Sequence, residues 1–290
     1  MNRKDFIQSS VLGVIGMTTL QDLRKFADTL HPQDDCMPVL FVGHGSPMNA
    51  IEENEFTQGW QNAARKIPTP KAILCISAHW ETEGTWITAM PKPKTIHDFY
   101  GFPQSLFDVQ YPAPGSLEWA KETANIIHKT QIGLDESQWG FDHGCWSVLK
   151  HFYPKADIPV LQLSLDHSKP AQWHYDLARE LAVLRRKGVL IISSGNMVHN
   201  LGMISFSSPN GYDWAIAANA TFKKLIENGD HQGLVNYSAL GKEIRLSIPT
   251  PEHYLPLLYT LALKEEKEPM AFFNDKTMMG SISMTSLRIG

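Results

Sequence analysis

Cysteine is scarce in this chain. The 290 residues hold three, Cys36, Cys75 and Cys145, far apart and in no metal-like spacing. That argues against a disulfide framework and fits a reducing compartment such as the cytoplasm. Long apolar runs are lacking as well, and no stretch approaches the roughly 20 residues needed to span a bilayer. Nor does charge of one sign dominate: 26 Lys and Arg against 30 Asp and Glu leave a formal net charge of -4, with no basic cluster. Nucleic acid and membrane surfaces are therefore not expected partners. No internal repeat, low-complexity tract or Pro/Ser/Gly linker interrupts the chain, so a single domain is the economical organisation.

The N-terminus is read separately. Asn2-Arg3-Lys4-Asp5-Phe6-Ile7 precedes a short apolar stretch from Val11 to Leu20. Basic then apolar is the order of an export signal, and Arg3-Lys4 before Phe6 loosely matches a twin-arginine pattern. Two glycines and two threonines break the stretch, and no clear small-x-small cleavage site follows. Residues 1–35 are set aside as an N-terminal extension, a degenerate signal being one reading and export the alternative to a cytoplasmic location. Residues 36–290 are the folded domain.

From Met37 onward, short apolar runs alternate with amphipathic stretches. The runs are 38–42, 72–76, 158–163 and 189–192, rich in β-branched residues and bounded by polar residues or glycine. Strands buried on both faces read this way. Between them lie helical patterns. Ser116 caps one, with Leu117, Ala120, Ala124 and Ile127 at helical spacing. Ser168, with Pro170 in the first turn, opens a second along Trp173, Leu177, Leu181 and Leu184, stopped by Gly188. Asp213 opens a third along Trp214, Ala218, Phe222 and Leu225. The expected fold is α/β, one domain around a largely parallel central sheet with helices on both faces.

Twelve histidines are present, and their placement matters more than their number. His44 follows the first strand in Gly43-His44-Gly45-Ser46-Pro47, and His79 the second in Ser77-Ala78-His79-Trp80. His199 comes a few residues after 189–192. A lone histidine near a strand end is ordinarily a hydrogen-bonded structural residue. Three past the carboxyl ends of core strands, where α/β sheets gather their ligands, indicate a metal site. His143, in Phe141-Asp142-His143-Gly144, and His253, at the expected start of the last helix, join them. His31, His97, His128, His151, His167, His174 and His231 are read as surface or structural. Of these His97 comes nearest to the site chemistry, because Asp98 and three aromatics follow it.

Six ordered motifs carry a family resemblance: Gly-His-Gly-Ser-Pro-Met-Asn, Ser-Ala-His-Trp, Thr-Ile-His-Asp-Phe-Tyr-Gly-Phe-Pro, Tyr-Pro-Ala-Pro-Gly, Gly-Phe-Asp-His-Gly and Thr-Pro-Glu-His-Tyr-Leu-Pro-Leu. From about Met37 to Gly290 the chain resembles the DODA-type extradiol aromatic-ring-opening dioxygenases of the LigB-like class. The resemblance implies one mononuclear metal, Fe(II) for catalysis, with Zn(II) able to occupy the same site. It implies His44 and His79 as ligands. Many relatives use a glutamate third; here the matching region holds Glu252 and His253. Residues adjacent on a helix point about 100° apart, so both do not ligate, and the DODA-type pattern favours His253. His199 matches the acid/base histidine and is also a candidate fourth ligand. His143 matches a substrate-contacting histidine.

The implied reaction uses a small aromatic diol and dioxygen. A neutral histidine near pH 7 can take and return the protons that ring opening requires, typically for a gain of roughly 10²–10⁴; His199 is assigned that work, with His143 orienting substrate. Trp80, Phe99, Tyr100 and Trp146 are expected to wall a flat apolar pocket, and the segment 96–103 to form its substrate-facing loop. Two readings compete: a zinc hydrolase built on the same histidines, and a Memo-like non-catalytic binding protein on the same fold. Monomer and homodimer both remain open.

Overall fold

The structure is a computed structural model and describes residues 36–290; the N-terminal extension and its export-type order lie outside the described residues. In chain order the strands are β1 (Val39–Gly43), β2 (Ala72–Thr82), β3 (Thr85–Thr88), β4 (Lys94–Thr95), β5 (Ile132–Asp135) and β6 (Gly140–Phe141). Then come β7 (Val160–Asp166), β8 (Val189–Gly195), β9 (Met270–Phe273), β10 (Thr277–Met278), β11 (Ile282–Ser283) and β12 (Ser286–Ile289). Eight of them form one sheet in the order β5-β3-β7-β2-β8-β1-β12-β9. Its centre is parallel: β2 pairs in parallel with β7 and β8, and β8 with β1. The last strands close one edge antiparallel, β12 on β1 and β9 on β12.

The apolar runs are buried on both faces, as continuous rather than alternating hydrophobicity requires. Val39 and Phe41 of β1, with Leu74 and Ile76 of β2 and Ile191 of β8, face one core. Helices Ala171–Glu180, Asp213–Glu227 and Leu255–Ala262 cover that face through Leu177, Phe222 and Leu258. Leu40, Val42, Ile73, Cys75 and Ile192 face the other, beneath helices Glu55–Ala64 and His143–Phe152 with Trp60, Trp146 and Leu149. Among the described residues no helix is long and apolar enough to cross a membrane.

Local details depart from expectation in three places. Ser168 does not cap a helix. Its hydroxyl and N–H bond the Asp166 carboxylate, and the helix begins after Pro170. That helix also breaks at Leu181, where 171–180 hands over to Ala182–Arg186, because the Leu181 amide turns to the Ala178 carbonyl. And β2 does not stop at Ile76; it runs to Thr82 through a register shift between Ile76 and Glu81.

The carboxyl ends of the central strands are shaped by two glycines paired across β1 and β8, Gly43 and Gly195. A methyl on Gly195 would lie 2.2 Å from the His253 carbonyl oxygen, and one on Gly43 would lie 2.7 Å from the Met284 backbone. Both strand ends are therefore bare so that distant chain can pass over them. The Asn196 N–H then donates to the His253 carbonyl (2.8 Å), and the Asn196 side-chain amide to the Ser283 carbonyl (2.7 Å). Gly195→Ala should force that backbone apart and lower Tm by on the order of 5–10 °C. Gly202→Ala, where the added methyl meets only the Asn200 side-chain oxygen at 3.3 Å, should be near neutral. Thermal unfolding of the two variants checks this; equal, small shifts would mean that the close approach is soft.

Candidate functional site

Five histidines converge beyond those strand ends. His44 leaves β1, with its N–H donating to the Gly195 carbonyl (3.3 Å). His79 sits on the irregular part of β2, not after it, and the register shift turns its ring out of the ladder. His143 is the first residue of helix His143–Phe152, whose cap Asp142 accepts from the Cys145 N–H. His199 lies in the loop after β8, with its N–H on the Ser247 carbonyl (2.9 Å). His253 lies in the turn before helix Leu255–Ala262 rather than at the helix start, held by the contact of its carbonyl with Asn196.

The ring nitrogens are sorted by oxygen partners. The Ser194 hydroxyl donates its single hydrogen to the Gly144 carbonyl (2.6 Å), so at 3.0 Å from His44 Nδ1 it can only accept. His44 Nδ1 therefore carries the hydrogen and Nε2 keeps its lone pair. Glu252 Oε1 lies 3.0 Å from His253 Nδ1 and also accepts from the Thr250 hydroxyl (2.9 Å). Asp98 Oδ2 lies 3.3 Å from His79 Nδ1, and Asp98 Oδ1 accepts the His143 N–H at 2.9 Å. His143 Nδ1 is 3.1 Å from that same carboxylate, but without a linear hydrogen bond, and is left a buried, unpartnered atom. Carboxylate or hydroxyl behind one imidazole nitrogen is the usual support for metal binding through the other.

The spacing of the rings tests the fit. An imidazole bound at about 2.1 Å has its centroid roughly 3.2 Å from the ion, and ligand angles of about 90–110° then space centroids about 4.5–5.2 Å apart. His44–His79 and His79–His253 are 5.0 Å apart and His44–His253 5.3 Å. Donor-atom proximity groups the residues otherwise, His44 and His79 with His143, and His253 with His199 and Glu252. Centroid spacing and donor-atom proximity thus favour different sets around the same five rings. His79 and His143 centroids are only 3.9 Å apart, and His199 lies stacked on His253 at 3.5 Å and 9°. By centroid spacing His143 lies closer to His79, and His199 closer to His253, than His44, His79 and His253 lie to one another. Meanwhile His44 Nε2 and His79 Nε2 face each other at 3.1 Å, an arrangement that calls for a shared hydrogen or cation.

Burial sets the charge state. Desolvation and the neighbouring imidazoles hold His44 and His79 well below the ordinary histidine range, and lower His253 despite Glu252. His199 is pushed down to about 2 by burial and by His253. Neutral imidazoles are the form that binds metal. Burial would raise the two carboxylates, but His143 more than offsets this at Asp98, and His253 draws Glu252 down to about 2. The centre is thus neutral nitrogen inside, anionic oxygen behind.

A cavity of about 600 Å³ opens above the five rings, with Asp98, Phe99, Tyr100 and Phe102 on one wall. Two residues expected there are elsewhere. Trp80 points away from the cavity, buried and stacked on Trp139 at 5.6 Å and 5°. Trp146 is buried behind the wall, its indole N–H on the Ile96 carbonyl (2.8 Å), packing against His97 and Phe99. His97 is structural, with Nε2 on the Val109 carbonyl (2.9 Å). So are His151, against the Asn49 carbonyl, and His174, against the Tyr259 hydroxyl. The opposite wall, Leu201, Ile204, Phe206, Met279 and Ile282, was not anticipated from sequence. Nor were Ser194 and Asp98 as partners of the rings; position 98, next to His97 in an aromatic-rich loop, was the signal available.

With this geometry in hand, comparison with known proteins is decisive. The family model for the catalytic LigB subunit of aromatic ring-opening dioxygenase matches residues 38–275. A protein of Escherichia coli K12 named 4,5-DOPA dioxygenase extradiol is 49% identical over 264 residues, covering 88% of this chain and 95% of that one. One of the same name from Beta vulgaris is 33% identical, covering 88% and 97%. A crystal structure of an uncharacterized Escherichia coli K12 protein superposes with a TM-score of 0.75 at 42% identity, over 88% of this chain and all of that one. The chain belongs to the LigB family of extradiol aromatic-ring-opening dioxygenases.

Proposed function

We propose that this protein opens a catechol-type ring beside its two hydroxyls with dioxygen, at a metal held by His44, His79 and His253. The observation that carries this reading is the near-equilateral spacing of those three rings at the floor of an apolar cavity, with Ser194 and Glu252 oxygens 3.0 Å from the Nδ1 of His44 and His253 and an Asp98 oxygen 3.3 Å from that of His79. DOPA, which the named relatives carry in their names, is the first substrate to try. When bound, Fe(II) would supply the redox chemistry for dioxygen and lower the pKa of a coordinated hydroxyl.

The protein's own residues supply the rest. His199 lies flat on His253, beside the triangle rather than in it. Its imidazole lines the cavity, where it would take a hydroxyl proton and later return it. His143, whose Nδ1 faces Asp98, keeps its other nitrogen for the substrate oxygen. Phe99 walls the ring-binding space edge-on to His143, with centroids 5.6 Å apart. Closing water out of such a space strengthens each of these polar contacts. Cys75 and Cys145 are buried thiols, which fits residence in the reducing cytoplasm.

Metal content tests the ligand assignment. His44→Ala, His79→Ala and His253→Ala should lose most bound metal while remaining folded, and Glu252→Gln should weaken binding by about 10–100-fold. His199→Ala should retain the metal. Full occupancy in His253→Ala with loss in His143→Ala would replace the ligand set.

Turnover tests the chemistry. His199→Gln should still bind catechol but slow kcat by roughly 10²–10⁴; near-normal kcat would remove His199 from proton transfer. With Fe(II), an oxygen electrode should show one dioxygen consumed per catechol, with label from dioxygen in the ring-opened product. Zinc, which has no redox chemistry, should abolish it. Equal rates with zinc and without oxygen would instead favour a hydrolase.

A further inference from the structure

One carboxylate faces two of the site's imidazoles. Asp98 Oδ2 lies 3.3 Å from His79 Nδ1, and Asp98 Oδ1 lies 3.1 Å from His143 Nδ1 while accepting the His143 N–H at 2.9 Å. The two rings are close neighbours, with centroids 3.9 Å apart. Gly144 permits that approach, since a methyl there would lie 2.4 Å from Ser77 Oγ and 3.0 Å from His79 Cδ2. Ser194 and Glu252 stand behind one ring each, His44 and His253, whereas Asp98 stands behind two.

The chain holds this carboxylate from both sides. β4 pairs in parallel with β6, so the strand leading to Asp98 runs beside the strand leading to His143. The Ile96 N–H donates to the Phe141 carbonyl (2.7 Å), and the Ile96 carbonyl accepts the Trp146 indole N–H (2.8 Å). Trp146, buried behind the cavity wall, is thus a strut for the segment that carries Asp98. The residues flanking Asp98 are tied down as well. His97 Nε2 is anchored on the Val109 carbonyl (2.9 Å), and the Phe99 ring packs on Phe102 and Phe107 at 5.4 and 5.1 Å.

A carboxylate fixed in this way dictates where the imidazole hydrogens sit. A lone pair on either Nδ1 would face anionic oxygen at 3.1–3.3 Å and be repelled, whereas an N–H there is attracted. Asp98 Oδ2 and His143 Nδ1 are buried with no hydrogen-bond partner elsewhere, so nothing competes to turn them away from each other's group. His79 and His143 therefore both carry hydrogen on Nδ1, and both keep a lone pair on Nε2. On His79 that is the nitrogen facing His44 Nε2. On His143, whose ring lines the cavity, it makes the imidazole an acceptor toward a hydroxyl that enters.

We propose that Asp98 is a positioning residue shared by the metal centre and the substrate pocket. It sets the same tautomer on both rings, so that His79 presents a lone pair to the metal while His143 accepts a hydrogen bond from a substrate hydroxyl. The substrate half rests on the ring-opening reading; the tautomers do not. An amide cannot replace this carboxylate, because it has one acceptor oxygen where two are needed. With a metal on its Nε2, His79 must keep its Nδ1 hydrogen and claims that oxygen. The amide NH₂ then faces His143 Nδ1, whose hydrogen moves to Nε2, and the ring turns from acceptor to donor toward the substrate.

The test reads the tautomers by ¹⁵N-histidine NMR of the full chain loaded with zinc, the signals of the two rings being identified by their loss in His79→Gln and His143→Gln. Both rings should show hydrogen on Nδ1. In Asp98→Asn, His143 should move to the Nε2–H form and zinc affinity should fall about 10–100-fold. Calorimetric affinity of the zinc-saturated variant for catechol should fall about tenfold. Glu252→Gln, which alters the support of His253 alone, should weaken zinc binding yet leave His143 in its original tautomer. Hydrogen on Nε2 of His143 in the unmutated protein overturns the proposal, and that spectrum decides even where Asp98→Asn does not fold. So does a tautomer, zinc affinity or catechol affinity indifferent to Asp98→Asn, or the same change at His143 in Glu252→Gln. The expected tautomers with no oxygen uptake by the iron-loaded protein on DOPA or any catechol keep the Asp98 assignment and overturn ring opening.

Discussion

A metal held as proposed by His44, His79 and His253 requires each ring to offer one nitrogen to a common point while burying the other, and most of the architecture around them answers that demand. Ser194 from β8, Asp98 from the aromatic loop and Glu252 from the turn before the last helix stand behind His44, His79 and His253. Each partner is itself fixed: Ser194 by the Gly144 carbonyl, Glu252 by Thr250, Asp98 by the His143 N–H. Without them the rings would be free to rotate and to choose the wrong tautomer. The bare strand ends serve the same demand, since only there can the segments carrying His253 and Met284 come close enough.

The second layer explains why burial and charge do not conflict. Asp142 is fully buried and raised to about 6, chiefly by desolvation and by Asp98, yet the Ser77 hydroxyl and the Gln162 amide both donate to it while it caps the His143 helix. Ser77 lies two residues before His79. One carboxylate thus ties the histidine on the bulged strand to the histidine that starts the helix. Fully satisfied networks of this kind rigidify a site, whereas half-satisfied ones would loosen it.

Much of this was legible in the residues. Runs of apolar residues marked the parallel centre, because strands buried on both faces cannot hide behind alternation. Histidines after strand ends marked the site, because the topology of α/β sheets puts that edge to use. The family motifs carried His143 and His253. What stayed illegible depended on direction and on distant packing. Trp80 stands next to a site histidine, but successive residues of an extended strand point to opposite sides, and its ring went to Trp139. Trp146 lies one turn along the helix from His143 and faces its core. The edge strands β9 and β12 are short and carry only weak patterns. The Leu201–Phe206 wall is made by loops whose shape is decided by hydrogen bonds to residues more than seventy positions away.

The sheet order also has a bearing on biosynthesis. β1 is the first described strand to leave the ribosome, and its neighbours are β8 and β12, the latter ending at Ile289. At roughly 5–20 residues per second, about 10–50 s separate the emergence of β1 from that of β12. Throughout that interval the strand from which His44 hangs has an unpaired edge, a template for mispairing with other chains. His253 arrives almost as late, so a nascent chain carries two of the three proposed ligands long before the third. A metal bound by all three as proposed would therefore wait for the last helix, and a chain truncated before it would remain open-edged at β1 and lack the third proposed ligand.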